Sequence, residues 1–209
     1  MLADGRMLVV DQTDSQKNFY FNNIFDWGWR TTNQPGSARV LGTDGKWTLL
    51  NAPNGNWNAL TTAQTSSSSL VLAAVGSKAN NSVNGDLYLG TVTAQGAITW
   101  ANATRNAASN ANWVAVDMSA DGRYMVAAVR GGQIYLADTA QANWTWRSTG
   151  LTADWTSVWM SDDGQSLAVT TNGSVGGVWI SHSAGNAWTK VAGQGTMGIA
   201  SGQDWRMAS

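Results

Sequence analysis

Four tryptophans divide this chain into repeats. Trp57, Trp113, Trp155 and Trp205 each open a stretch of the same design, and successive openings lie 56, 42 and 50 residues apart. The design is clearest in 113–146, which reads WVAVDMSADGRYMVAAVRGGQIYLADTAQANWTW. A short apolar run leads to an Asp-Gly turn, a second run to a Gly-Gly turn, and a third to a Trp-rich fourth. Short apolar runs bounded by such dipeptides read as strands joined by hairpins. A unit of roughly 40 to 50 residues holding four strands cannot bury its own apolar faces and must stack on its copies.

The other units keep the register. Second strands read Met7–Val10, Leu70–Ala74, Tyr124–Ala128 and Ser166–Thr170, and third strands Arg39–Leu41, Leu87–Leu89, Ile134–Leu136 and Val178–Ile180. Fourth strands centre on Trp47, Trp100, Trp146 and Trp188. The unit opened by Trp205 stops at Ser209, but its continuation stands at the other end of the chain. Written head to tail, Trp205–Ser209 followed by Met1–Val10 places Asp4 eight positions after the tryptophan, as Asp121 follows Trp113. The sequence therefore predicts an all-β, four-bladed β-propeller of four-stranded antiparallel blades, with the ring closed by the two termini. Blade one comprises 205–209 and 1–56 with an insertion at 11–37, blade two 57–112, blade three 113–154 and blade four 155–204. Closure between two chains in an eight-bladed ring has the same sequence logic.

One turn carries a resemblance. Ser181-His-Ser183-Ala-Gly185-Asn-Ala-Trp188 resembles the Asp-box, Ser-x-Asp-x-Gly-x-Thr-Trp, of sialidase-like (bacterial neuraminidase repeat) propellers, with Ser183 at the Asp position and Ala187 at the Thr position. Ala137–Trp144 is a weaker copy, and 42–47 and 91–100 hold remnants. The resemblance implies a propeller whose boxes are folding elements of the third-to-fourth-strand turn. Sialidases in that family have six blades and use a glutamate in the chemistry. This chain contains no Glu at all, so that mechanism does not carry over.

Composition narrows the function further. Charged residues make up 12% and the formal net charge is −1, which gives no electrostatic reason to bind nucleic acid or an anionic membrane. No apolar run approaches the roughly 20 residues of a spanning helix, so no membrane insertion is expected. The start, MLADGRMLVV, lacks the pattern of a signal peptide. Cysteine is absent, which rules out disulfides and thiolate chemistry. A lone His182 without Cys or a carboxylate pair makes no metal site, and Asp162-Asp163-Gly164 reads as a hairpin turn rather than a calcium loop. No cofactor motif appears. Asp117 and Trp159 hold equivalent first-strand positions; if that column faces the central channel, Asp117 is a lone carboxylate there. Glycoside hydrolysis needs two placed carboxylates, and no pair is evident.

The candidate site is the insertion, DQTDSQKNFYFNNIFDWGWRTTNQPGS at 11–37. So long a connection is uncommon in a compact domain, and Phe19, Tyr20, Phe21, Phe25, Trp27 and Trp29 make it too aromatic for disorder. Those rings could stack on a sugar or an apolar partner, with Asn22, Asn23 and Arg30 supplying hydrogen bonds. The first reading, ahead of both subunit contact and a ligand platform, is a cap that plugs the ring and buries its own aromatics. The loops 51–56, 101–112 and 192–198 fall on the same face. The sequence thus points to a non-enzymatic recognition module for a glycan or a protein. The alternative is a structural component of a cell-surface or virus particle, with the insertion as the contact of a homo-oligomer.

Overall fold

The computed structural model describes residues 8–10, 38–41, 47–49, 56–65, 70–77, 85–92, 98–108, 111–172 and 176–191. They form antiparallel sheets and, among the described residues, no helix. Strands β1 (Leu8–Val10), β2 (Ala38–Leu41) and β3 (Trp47–Leu49) make a three-stranded meander. A four-stranded meander follows in β4 (Asn56–Gln64), β5 (Leu70–Ser77), β6 (Leu87–Val92) and β7 (Ile98–Asn102). The remaining strands join in one sheet: β8 (Trp113–Met118), β9 (Tyr124–Asp138), β10 (Trp146–Met160), β11 (Leu167–Thr171), β12 (Gly177–Ser181) and β13 (Thr189–Lys190).

That last sheet is two repeats run together. Fifteen extended residues of β9 would span about 50 Å, yet Thr139 N donates to Arg123 O at 2.8 Å across its two ends. The strand therefore doubles back, and Gly131, at φ 65°, supplies the left-handed residue a two-residue hairpin requires. Its first arm pairs with β8 and its second with β10, as Met118↔Met125 and Trp146↔Ala137 show. β10 then does two jobs. Its first part is the outer strand of the third unit, and 155–160 pairs with β11 as the inner strand of the fourth. The sequence places a boundary between 154 and 155, but the strand runs through it. Register shifts after Ser148 and Ala153, and Gly150 at φ 75°, let one strand turn from sheet to sheet. Three further offsets correct the sequence reading. Strands β3 and β10 begin at Trp47 and Trp146 rather than centring on them, and Trp188 lies just outside β13.

Alternation along the strands sorts the core into two layers. Met125, Ala127 and Val129 face the second unit together with Trp113, Val116 and Met118. Val126, Ala128, Ile134 and Leu136 face the fourth, against Trp155, Met160, Leu167 and Val169. A sheet apolar on both faces is what stacking between two neighbours demands. The opening tryptophans repeat each other in detail. Trp113 Nε1 donates to Gly85 O and Trp155 Nε1 to Gly132 O, each at 2.9 Å. Both carbonyls belong to the connection between second and third strands of the preceding unit. Seven residues after each opening, the main chains link as well. Gln64 N donates to Ala120 O at 3.0 Å, and Ala120 N donates to Asp162 O at 2.9 Å.

The Asp-Gly turns are likewise copies. Ser119 Oγ donates to Asp121 Oδ1 and accepts from Tyr124 N; Ser161 Oγ donates to Asp163 Oδ1 and accepts from Ser166 N. Gly122 and Gly164 take the left-handed position at φ 73° and 70°. Asp163 is thus a turn residue, its Oδ1 also holding Gln165 N at 2.9 Å.

Candidate functional site

The first strands meet at Asp117. Its Oδ1 accepts from Thr61 Oγ1 of β4 and from Met118 N, both at 2.9 Å, and its Oδ2 accepts from Met160 N of β10 at 2.8 Å. One carboxylate therefore ties together the inner strands of three successive units. Burial pushes its carboxyl above the usual carboxylate range, against the pull of those three donors. The sequence reading made Asp117 a lone carboxylate if its column faces the channel; its bonded partners include no second carboxylate, and both of its oxygens are engaged. Trp159, its equivalent one unit on, is 42% exposed.

The other displaced carboxyls lie below their ordinary values through local bonds. The Arg123 main-chain N–H holds Asp121 down, the Arg123 guanidinium holds Asp138 down, and the Ser161 hydroxyl holds Asp163 down. Each is thereby accounted for as a turn or ion-pair residue. Among the described residues no cluster of three or more potential metal ligands occurs.

The turn at 181–188 is built from serines. Ser181 Oγ accepts from Gly185 N and Ser183 Oγ from Ala187 N, both at 3.0 Å, and Trp188 Nε1 donates to Gly185 O at 3.1 Å. Ser183 thus bonds forward into the turn, as an acceptor at that position must. The weaker copy differs: Thr139 Oγ1 donates back to Gly122 O and Arg123 O. His182 is exposed, its Nδ1 3.2 Å from Ser166 Oγ. Gly185 lies at φ 74°, and a Cβ there would overlap Leu136 Cδ1. Gly185→Ala is therefore expected to cost about 2 kcal/mol or more, combining backbone strain with a clash. Urea unfolding checks it.

The sequence-predicted contact residues Phe19, Tyr20, Phe21, Asn22, Asn23, Phe25, Trp27, Trp29 and Arg30 lie outside the described residues, as do loops 51–55 and 192–198. The described part of the 101–112 loop is tied to the fold. Asn106 Nδ2 donates to Trp146 O and its Oδ1 accepts from Trp146 N, while Arg105 Nη1 donates to Trp144 O and its guanidinium lies 4.0 Å over the Trp144 ring. These groups clamp one unit on the next.

A groove of about 490 Å³ opens elsewhere, between the 139–145 turn and the turns of the fourth unit. Its lining includes the apolar Tyr124, Leu136 and Met160 and the polar Asp138, Asn143, Arg147 and Asn186. Sequence reasoning missed it. The available signal was Arg147, which alternation turns outward from buried Trp146.

The fold is similar to one in a crystal structure of a nidogen/laminin complex, with a TM-score of 0.53 and 13% identity over 79% of this chain and 61% of that one. It is also similar to YCF48 bound to D1 peptide, with a TM-score of 0.47 and 18% identity over 74% of this chain and 46% of that one. The chain therefore spans about three-fifths of the length of the first and less than half of the second. No protein-family model matches the chain, and no curated protein matches its sequence. Together with the stacked antiparallel units, the first likeness defines the class: this is a β-propeller protein.

Proposed function

We propose that this propeller is a non-enzymatic recognition module whose partner is a protein. The observation that carries the reading is the state of Asp117. A general base needs a free oxygen within reach of a substrate proton, whereas both oxygens of Asp117 hold neighbouring strands. A nidogen/laminin complex is an assembly of two proteins, and this chain is read as serving the same kind of use. Glycan recognition rested on the aromatic segment 19–30 and on free amides in the loops; Asn106, on the described part of that face, is engaged within the fold. Contact through 19–30 in a cell-surface or particle assembly is the alternative use of the same scaffold.

The ring is read as four blades closed by the chain's own ends, with 181–188 an Asp-box turn in which serine replaces aspartate. Support for closure comes from the main-chain links at equivalent positions, Gln64 to Ala120 and Ala120 to Asp162. On the head-to-tail alignment the next equivalent position is Ala3. Incubating the full chain with chromogenic glycosides between pH 4 and 7 tests the catalytic half of the reading. The expected result is release no faster than the buffer blank. Turnover that disappears in Asp117→Asn would overturn it.

A further inference from the structure

The groove between the third and fourth units is lined by both Arg147 and Asp138, and the Asp138 carboxylate is taken up by Arg123 rather than by Arg147. Arg147 is exposed; its Nη2 donates to Ala184 O at 3.1 Å, and it forms no ion pair among the described residues. A guanidinium carries five N–H donors, so Arg147 keeps donors for a ligand. The neighbouring cation is neutralised, because Arg123 binds Asp138 through two bonds of 3.0 Å. The Asn143 side chain, on the same rim, makes no hydrogen bond among the described residues.

Tyr124 and Trp144, the aromatic residues lining the groove, each carry a guanidinium over one face. The Arg123 guanidinium sits 4.7 Å over Tyr124 and that of Arg105 sits 4.0 Å over Trp144. A sugar would need such a face to stack on. The lining also offers the Arg147 cation, amides, the Arg123-bound Asp138 carboxylate and the apolar side chains of Leu136 and Met160, in a volume within the range of small-ligand sites. The methionine adapts to different apolar side chains.

We propose that this groove takes a short acidic peptide segment of a protein partner. A carboxylate pairs with Arg147, and an adjoining apolar side chain lies over Leu136 and Met160. The proposal rests on the recognition reading above and names the chemistry of its partner. The test is selection of a random heptapeptide display library on the full chain, followed by titration of the recovered peptides. Recovered peptides should carry Asp or Glu beside Leu, Met, Ile or Phe. Their affinity should fall about tenfold or more in Arg147→Ala, whose exposed side chain leaves the melting temperature nearly unchanged. Asn143→Asp, which places a like charge on the rim, should weaken the same peptides and not their Asn-for-Asp analogues. Recovery of peptides without an acidic residue, or affinity indifferent to both variants, overturns the groove while leaving protein recognition standing. Recovery of no peptide, with binding on a glycan array instead, overturns both.

Discussion

Trp113→Ala is expected to lower the unfolding free energy by about 4 kcal/mol, a large part of the ~5–15 kcal/mol available to a typical domain. The side chain has no exposed surface. Its ring meets Tyr135 edge-on at 5.4 Å between centroids, and its indole N–H reaches across to Gly85 O. Truncation therefore opens a cavity between two units rather than within one. Trp113→Phe should cost less, about 1–2 kcal/mol, because Gly85 O still accepts from Ala111 N at 3.2 Å and is not orphaned. Trp159→Ala is the control: the same residue type at 42% exposure should cost about 1 kcal/mol or less. Urea unfolding of the three variants measures the order. Equal losses at 113 and 159 would show that inter-unit burial is not what holds the units together.

Period and punctuation made the repeat legible. The openings at Trp113 and Trp155 were recognisable because burial at a unit interface demands a large apolar residue at a fixed step. The turns at Asp121-Gly122 and Asp163-Gly164 were recognisable because a left-handed residue there favours glycine. What the strings did not show depends on neighbours across the stack. Asp117 looked solitary since Thr61 and Met160, its partners, lie 56 and 43 residues away. The continuity of β10 was hidden because Trp155 marks the start of a repeat and not the end of a strand, whereas Gly150 at φ 75° and the register shifts let the strand swing between sheets. Arg147 gave no motif, since a groove forms from the turn at 139–145 and the fourth unit together. The aromatic segment 19–30 drew the eye by composition, which says that rings need cover and leaves the cover unnamed.

Replacing Asp117 by leucine is expected to cost about 2–4 kcal/mol. Thr61 Oγ1, Met118 N and Met160 N would all lose their acceptor at once, at roughly 1–3 kcal/mol for each buried donor left unmade. The sum is reduced because the residue is only partly buried and water can reach it. Asp117→Asn keeps the shape and removes the titration, so it isolates the charge. With the folded carboxyl raised by burial above its unfolded value, the native state takes up the proton more readily than the unfolded chain. The stabilisation is complete below the unfolded carboxylate value and is lost as pH rises through the folded one. The margin of the wild type over Asp117→Asn should therefore be widest in acid and shrink toward neutrality. Asp121, Asp138 and Asp163 act in the opposite sense, since their depressed values give stability that is lost on acidification. They are common to both proteins and cancel in the difference. A margin that narrows as pH falls would mean the three donors outweigh burial at the point where the inner strands converge.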